Sequence, residues 1–330
     1  MAGDGSDLDR AAIPPNVLAG VLDVGRREGL AVHPWFAGTG LDPALLYAPG
    51  ARVSFQQART VLRRALDALP GRPLGIEVGE RDALLSFGFL GIAMRASETV
   101  GEAFDLATTL HHAEGSLLDV EREDFGGEIA VRFRERWPDP DVVAFLCEES
   151  LVSTTVITRS MLAETTWTPV RVELSYPAPI HAPRYRRTFG CPVRFSADAN
   201  RMVIPTELLD RPLPMQHRPT RESAIEMCRQ ILGEGREEAR PAIVSSVEAL
   251  IGGNLRRPLT MSDVAERLHI TERTLHRRLA DSGEGFSAIR DRVRERRATA
   301  LLRQTSMPVG DVAAEVGFSD GREFRRAYRR

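Results

Sequence analysis

Two stretches near the C-terminal end of the chain carry one pattern. Residues 259–283 read LTMSDVAERLHITERTLHRRLADSG, and residues 307–330 read MPVGDVAAEVGFSDGREFRRAYRR. Asp263-Val264-Ala265 corresponds to Asp311-Val312-Ala313, and Ile270-Thr271 to Phe318-Ser319. After one extra residue in the second copy, Arg273 corresponds to Arg322, Leu275 to Phe324 and Leu279 to Tyr328, while His276-Arg277 falls on Arg325-Arg326. Each copy reads as helix, tight turn, helix. In the first, Val264, Ala265 and Leu268 form the inner face of a short helix, His269-Ile270 makes the turn, and Thr271 caps the next helix. Leu275 and Leu279, four apart, point inward. That leaves Arg273, His276 and Arg277 on the outer face, and in the second copy Arg322, Arg325 and Arg326.

An Arg-bearing face opposite a buried stripe suits the major groove, where arginine forks onto guanine O6 and N7 or neutralises phosphate. A solvated charged face would account for one such copy. Two copies at matching positions, joined by a spacer, favour DNA. The spacer is a helix expected from Ser287 to Gln304, roughly 27 Å long at 1.5 Å per residue. Successive readers on one face of B-DNA stand about 34 Å apart. Charge agrees with this division. From Arg256 to Arg330 there are 17 Arg, no Lys and 11 acidic residues, a net of +6, whereas residues 1–255 carry a net of −8. Every basic residue in the chain is arginine.

The acidic portion reads as α+β. Helices are expected over 15–31, with Val17, Leu18, Val21, Leu22 and Val24 as the apolar stripe, and over 54–69, with Ser54 as N-cap. Residues 97–113 give a helix capped by Ser97, and 141–163 a long one, although its β-branched residues at 152–157 oppose helix. GGEIAVRFRERW alternates as a strand after a Gly126-Gly127 turn. VRVELSYPAP and CPVRFSADANRMVIP supply three more strands, the last two joined by a turn at Asp198–Asn200. Residues 211–240, rich in Pro, Arg and Glu, mark a boundary with a short helix over 221–232.

The chain has 330 residues, 42% of them hydrophobic, which suits two domains with proper cores. No run of 18 apolar residues occurs, so no membrane span is expected. The start, MAGDGSDLDR, lacks the apolar segment of a secretory signal. Cys147, Cys191 and Cys228 are few, odd in number and far apart, which points to a reducing cytoplasm rather than a disulfide framework.

These motifs carry a resemblance. Residues 242–330 resemble the DNA-binding domain of the AraC/XylS family of bacterial transcription regulators, through DVAERLHITERTLHRRL and then ALLRQTSMPVGDVAAEVGFSDGREFRRAYRR. The acidic part is similar to the arabinose-binding-like effector domain of one branch of that family, through FGFLGIAMRASETVGEAF at 87–104 and YRRTFGCPVRFSADANRMVIPTELLDRPLP at 185–214. The resemblance implies an α+β effector-sensing and oligomerisation domain over 1–212, a linker over 213–236, and an all-α domain with two helix-turn-helix motifs over 237–330. It implies DNA contacts at Thr271, Arg273, His276, Arg277, Ser319, Arg322, Arg325 and Arg326. It further implies a ligand-responsive regulator, more often an activator, that binds double-stranded DNA and an unknown small-molecule effector, works with RNA polymerase, forms a homodimer, and resides in the bacterial cytoplasm at the nucleoid. No cofactor, metal or membrane is implied. Three departures stand out: Glu295 occupies a usually apolar spacer position, Gly321 weakens the start of the second reading helix, and the sequence stops at Arg330 where the family continues into a closing helix.

Effector contacts are sought among Phe87, Phe89, His111, His112 and Trp167. Aromatics at this spacing also read as plain core, and His111-His112 reads equally as helix-end histidines complementing the macrodipole. His33, His181 and His217 offer no spacing for a third metal ligand. Cys191, in GCPVR, reads as packing unless its setting is exposed and electropositive. The rival function is a DNA-repair alkyl transferase, or another enzyme, fused to such a DNA-binding domain. It would need a nucleophilic cysteine, and no His-paired cysteine motif, G-x-S-x-G, P-loop, Rossmann fingerprint or H-E-x-x-H is present.

Overall fold

The structure, a computed structural model, describes residues 8–48, 50–237, 241–304, 307–318 and 324–326, side chains at 83, 84, 234–237 and 304 excepted. Its helices are α1 (Asn16–Arg27), α2 (His33–Phe36), α3 (Phe55–Ala68), α4 (Leu74–Gly79), α5 (Ala83–Arg95), α6 (Val100–Leu110), α7 (Val143–Leu162), α8 (Ala182–Phe189), α9 (Arg218–Glu237), α10 (Ala242–Gly252), α11 (Met261–Arg267), α12 (Glu272–Asp281), α13 (Phe286–Gln304) and α14 (Val309–Glu315). The strands are β1 (Leu118–Phe125), β2 (Glu128–Glu135), β3 (Arg171–Glu173), β4 (Val193–Arg194) and β5 (Asn200–Pro205). The chain divides into two compact units, Met1–Trp35 with Arg52–Ala239, and Phe36–Ala51 with Arg240–Arg330.

The first unit is α+β. Its sheet runs β1-β2-β5-β3-β4, antiparallel except for the β3–β4 pair. β1 and β2 form a hairpin in register from Leu118 opposite Glu135 to Phe125 opposite Glu128. Gly126 (φ +47°) and Gly127 (φ +102°) make its two-residue turn, a backbone that glycine adopts without steric cost. The expected hairpin between the last two strands does not form, because β3 lies between β4 and β5. Before the expected turn at Asp198–Asn200 only Val193 and Arg194 pair, and they pair in parallel with β3.

Helix α3 starts on a capping box: Ser54 Oγ accepts from Gln57 N–H while Gln57 Oε1 accepts from Ser54 N–H, which satisfies two orphan donors at once. Thr99, not Ser97, caps α6, its hydroxyl accepting from Glu102 N–H. Ser97 instead donates to the Ala93 carbonyl, 3.0 Å away. Helix α7 holds through its β-branched run because the run is buried and its hydroxyls are satisfied locally. Thr155 and Thr158 each donate to the carbonyl four residues back, at 2.8 Å, and the helix ends on left-handed Ala163. The expected short helix at 221–232 is the middle of the longer α9, which packs on α5 through buried Ala224 and Cys228.

The second unit is helical and has two apolar clusters. One gathers Val244, Val247 and Leu250 of α10, Val264 and Ala265 of α11, Leu275 and Leu279 of α12, and Ile289 and Val293 of α13. The other gathers Ala298 and Leu301 of α13, Val312 and Ala313 of α14, Val316 and Phe324. Helix α13 therefore serves both clusters from its two ends. Between Val293 and Ala298 its surface faces water, and Glu295 is exposed there. The acidic departure falls where no core has to be filled.

The segment 36–51 belongs to this second unit although its sequence lies inside the acidic portion. Its 3-10 turn, Pro43–Tyr47, packs on α10, with Leu45 against the first apolar cluster. The Gly38 carbonyl accepts from Arg278 of α12 at 3.5 Å.

Candidate functional site

The first site is the outer face of α12. Thr271 caps the helix, its hydroxyl accepting from Thr274 N–H at 3.2 Å. The turn before it is made by three bonds: Leu268 N–H to the Val264 carbonyl, His269 N–H to that of Glu266 and Ile270 N–H to that of Ala265. His269 sits in the left-handed region at φ +53°, as the C-terminal motif of such a helix requires. The second copy repeats the turn bond for bond: Val316 to Val312, Gly317 to Ala314 and Phe318 to Ala313, with Gly317 at φ +79°. The internal repeat is thus a repeat of backbone geometry.

Leu275 and Leu279 are buried, and Arg273, His276 and Arg277 are exposed. Among the described residues the side chains of these three have no ion pair or hydrogen bond. Elsewhere in the same unit arginines are paired: Arg256 with Glu315, and Arg292 with Glu248 and Glu284. In the second module Arg325 and Arg326 are exposed beside buried Phe324. Phe324 meets Phe318 edge-on at 5.5 Å, and Arg294 lies over the Phe318 ring. Ser319 and Arg322 lie outside the described residues. At 19 residues, α13 is about 28 Å long, close to the interval between successive grooves.

The second site is a cavity inside the first unit, with about 900 Å³ of non-atom space, mouth included. Its walls come from α5, α6, α7 and the sheet, and are largely apolar: Phe87, Met94, Phe104, Ile157, Met161 and Trp167 among them. Phe87 and Trp167 line it; Phe89 does not, and is 41% exposed. The reason is Gly88, whose backbone (φ +49°, ψ −128°) breaks α5 between the two rings in a conformation open to glycine alone.

His111 lines the cavity and His112 does not. His111 Nδ1 bonds the Thr108 carbonyl at 3.0 Å and so must donate, which leaves Nε2 of the neutral ring an acceptor, buried and without a partner among the described residues. Burial first, and then the charge of Arg136, hold His111 below its ordinary value. His112 faces Asp119 and Arg136 instead. One nitrogen or carboxylate oxygen of each of His111, His112 and Asp119 falls within a 4.8 Å group, a third ligand invisible to a search among histidines. Arg136 already occupies that position, donating to Asp119 at 2.8 Å and to His112 at 2.9 Å, so the group is an ion-pair cluster completed by its own cation.

Two acids missed at the sequence level line the same cavity, Glu114 and Glu149. Burial, and then the charge of Glu149, push Glu114 well above the ordinary carboxylate value. Burial likewise raises Glu149, against a smaller opposing pull from Arg81. A carboxyl raised by folding keeps its proton longer in the folded than in the unfolded chain. Stability therefore falls as pH rises from its unfolded value of 4.5 to its folded one. Glu149→Gln is expected to raise Tm at pH 7, by about 2–4 °C per kcal/mol relieved, and to lose that gain below about pH 4.5. Melting curves of both forms across that range check it; a gain that persists in acid would mean that Glu149 ionises freely in the fold.

The three cysteines are all buried. Burial pushes Cys191 and Cys228 up to about 11, and Cys147 further still, the reverse of what a nucleophilic thiol needs.

A cavity in an α+β unit and an arginine-faced helix-turn-helix in a second unit are the parts of a DNA-binding transcription regulator. Residues 29–213 match the family described as "Arabinose-binding domain of AraC transcription regulator, N-term", and residues 264–330 match "Helix-turn-helix domain". The chain is 28% identical over 322 residues to the Ornithine utilization regulator of Pseudomonas aeruginosa, covering 96% of this chain and 93% of that one. It is 30% identical over 314 residues to Rv1395, an uncharacterized HTH-type transcriptional regulator of Mycobacterium tuberculosis, covering 94% and 91%. The HTH-type transcriptional regulator VqsM of Pseudomonas aeruginosa is 25% identical over 78% of this chain and 80% of its own. The chain belongs to the AraC family of transcription regulators, in the branch with the arabinose-binding-type N-terminal domain.

Proposed function

We propose that this regulator reads two successive major grooves with its two helix-turn-helix modules and is switched by a small molecule held in the cavity of its first unit. The observation that carries the DNA reading is the outer face of α12, where Arg273, His276 and Arg277 stand exposed and unpaired opposite buried Leu275 and Leu279. Thr271 contributes a helix start, where backbone N–H groups meet phosphate. Ser319, Arg322, Arg325 and Arg326 do the same work in the second module. The effector acts by binding one arrangement of the protein more tightly than another, since only differential affinity shifts an equilibrium. Activation through RNA polymerase, a homodimeric state and a cytoplasmic, nucleoid-bound location complete the reading. Catalysis is not part of it, because the raised thiols remove the nucleophile that the alkyl-transfer alternative needs.

A salt-controlled titration of the full chain against fragments flanking its own gene, with random DNA as competitor, tests the proposal. Binding that survives competitor supports it; equal affinity for both DNAs would reduce the protein to an electrostatic binder. On the selected fragment, Arg277→Ala is expected to weaken binding by about 1–3 kcal/mol while leaving random-DNA affinity nearly unchanged, as a guanine fork predicts. An equal loss on both would make Arg277 a phosphate contact.

A further inference from the structure

The polar groups of the cavity are unlike its walls. Among carbon-lined surfaces, Ser86 Oγ, His111 Nε2 and Glu114 Oε2 are all buried and all without a hydrogen-bond partner among the described residues. Ser86 and His111 are each 7% exposed. A buried polar atom left unpaired is costly, and native folds rarely tolerate several in one place without a reason. His111 and Glu114 lie three apart on the 3-10 turn His111–Glu114, where residues i and i+3 eclipse. That turn packs on α5, which brings Ser86, and α5 packs on α7, which brings Glu149.

Chemistry narrows what fits. His111 is an acceptor at Nε2, the serine hydroxyl can accept, and Glu114 and Glu149 are close enough for one to raise the other. Arg81, fixed to the Val78 and Asn16 carbonyls, is a cation near Glu149 alone. Glu149 and the Cys228 thiol neighbour Glu114, and among the described residues Glu114 Oε2 has no hydrogen-bond partner and Glu114 makes no ion pair. Of two neighbouring acids, one thus has a cation from the protein and the other has none among the described residues.

We propose that the cavity takes a small molecule with an apolar body and one basic nitrogen, an alkylammonium or arylalkylammonium, whose cation sits against Glu114 with Ser86 and His111 as further acceptors. An ammonium carries three donors and no acceptor, which matches this set. An alcohol brings one donor and no charge, and a carboxylate brings a further anionic group to a place where two acids are already held above their ordinary values. The body lies against Phe87, Phe104 and Trp167, whose ring faces also favour a neighbouring cation. This assignment rests on the reading of the cavity as the effector site and specifies the class of effector.

The test uses three probes of one shape, 4-phenylbutylamine, 4-phenylbutan-1-ol and 4-phenylbutyrate, titrated into the full chain at pH 7 by calorimetry and by tryptophan fluorescence. The amine is expected to bind about tenfold or more tightly than the alcohol, and the carboxylate most weakly, a tenfold step being a single well-made polar contact. Glu114→Gln should keep alcohol affinity and lose the amine's advantage; Glu149→Gln, checked in parallel, should lose less because Arg81 already offsets the charge of Glu149. Equal binding of amine and alcohol, or a Glu114→Gln variant that keeps the full preference, overturns the ammonium assignment and leaves the cavity as a ligand site. Failure of all three probes to bind overturns the assignment and the effector-cavity reading together.

Discussion

Replacing Glu148 by alanine is expected to cost the first unit about 3–5 kcal/mol, the usual loss when one partner is taken from a buried ionic or hydrogen-bonded group. Glu148 projects from α7 into the join between α7 and α8 and is almost wholly buried. One of its oxygens accepts from Tyr185, which is completely buried, and lies 2.6 Å from His181 Nε2. Tyr185 in turn meets the Tyr176 hydroxyl at 3.2 Å, and His181 stacks on the Tyr185 ring. Removing the carboxyl strands a phenol and an imidazole N–H and opens a void beside α4, where Gly75 approaches the Glu148 side chain so closely that an added Cβ would stand 2.6 Å from it. Urea unfolding followed by far-UV circular dichroism gives the measurement. Glu148→Gln keeps an acceptor for Tyr185 and should fall well short of the alanine loss. An alanine loss below about 1 kcal/mol would show that water replaces the carboxyl at no great cost.

Gly317→Ala is expected to lose about 2–4 kcal/mol and to do so in the second reading module. Two costs combine. Left-handed backbone is worth about 1–2 kcal/mol against an L side chain, and an added Cβ would stand 2.2 Å from the Leu255 carbonyl oxygen, which forces the backbone to shift. The module has its own small cluster around Val312, Val316 and Phe324, so it can loosen while the cluster around Leu275 stays packed. Binding to a DNA fragment holding both half-sites should then fall to the level set by the first module. The matching change in the first copy, His269→Gly, should alter stability by no more than about 1 kcal/mol, because relief of the strained histidine is offset by the freedom glycine gains when unfolded. Comparable losses from the two substitutions would mean that the modules do not fold as separate pieces.

Sequence periodicity made the helix-turn-helix modules legible because each motif is local. Caps, turn and inward leucines all fall within about 25 residues, and the repeat supplies its own control. The hairpin strand β1 was hidden because both of its faces carry charge: Glu121 and Glu123 on one, bonded to Arg134 and Arg132 of β2, and Arg122 and Asp124, paired with each other, on the other. Such an edge carries little apolar alternation. β3 between β4 and β5 could not be read either, since a parallel pair joined across α8 leaves no turn signal. Of the five residues proposed for the cavity, Phe87, His111 and Trp167 line it. Phe89 and His112 do not, because a glycine break and an ion-pair cluster turn neighbouring residues opposite ways. Glu114 and Glu149 went unnoticed because an acid gives no sign in sequence of being buried, although the helical spacing of Glu149 from buried Leu146 and Val152 was there to be used.

The segment 36–51 has an implication for how such a protein can change over evolutionary time. Because this piece of the acidic portion's sequence packs on α10 and accepts at its Gly38 carbonyl from Arg278 of the reading helix, the chain enters the reading unit twice. A single recombination near residue 240 would pair a new reading unit with an old strap. Leu45 would meet a foreign α10, and Gly38 a foreign partner. Exchange of sensors between regulators of this build is therefore constrained by an inherited seam, and the residues most bound to vary together across it are those of 36–51 and the faces of α10 and α12 that receive them.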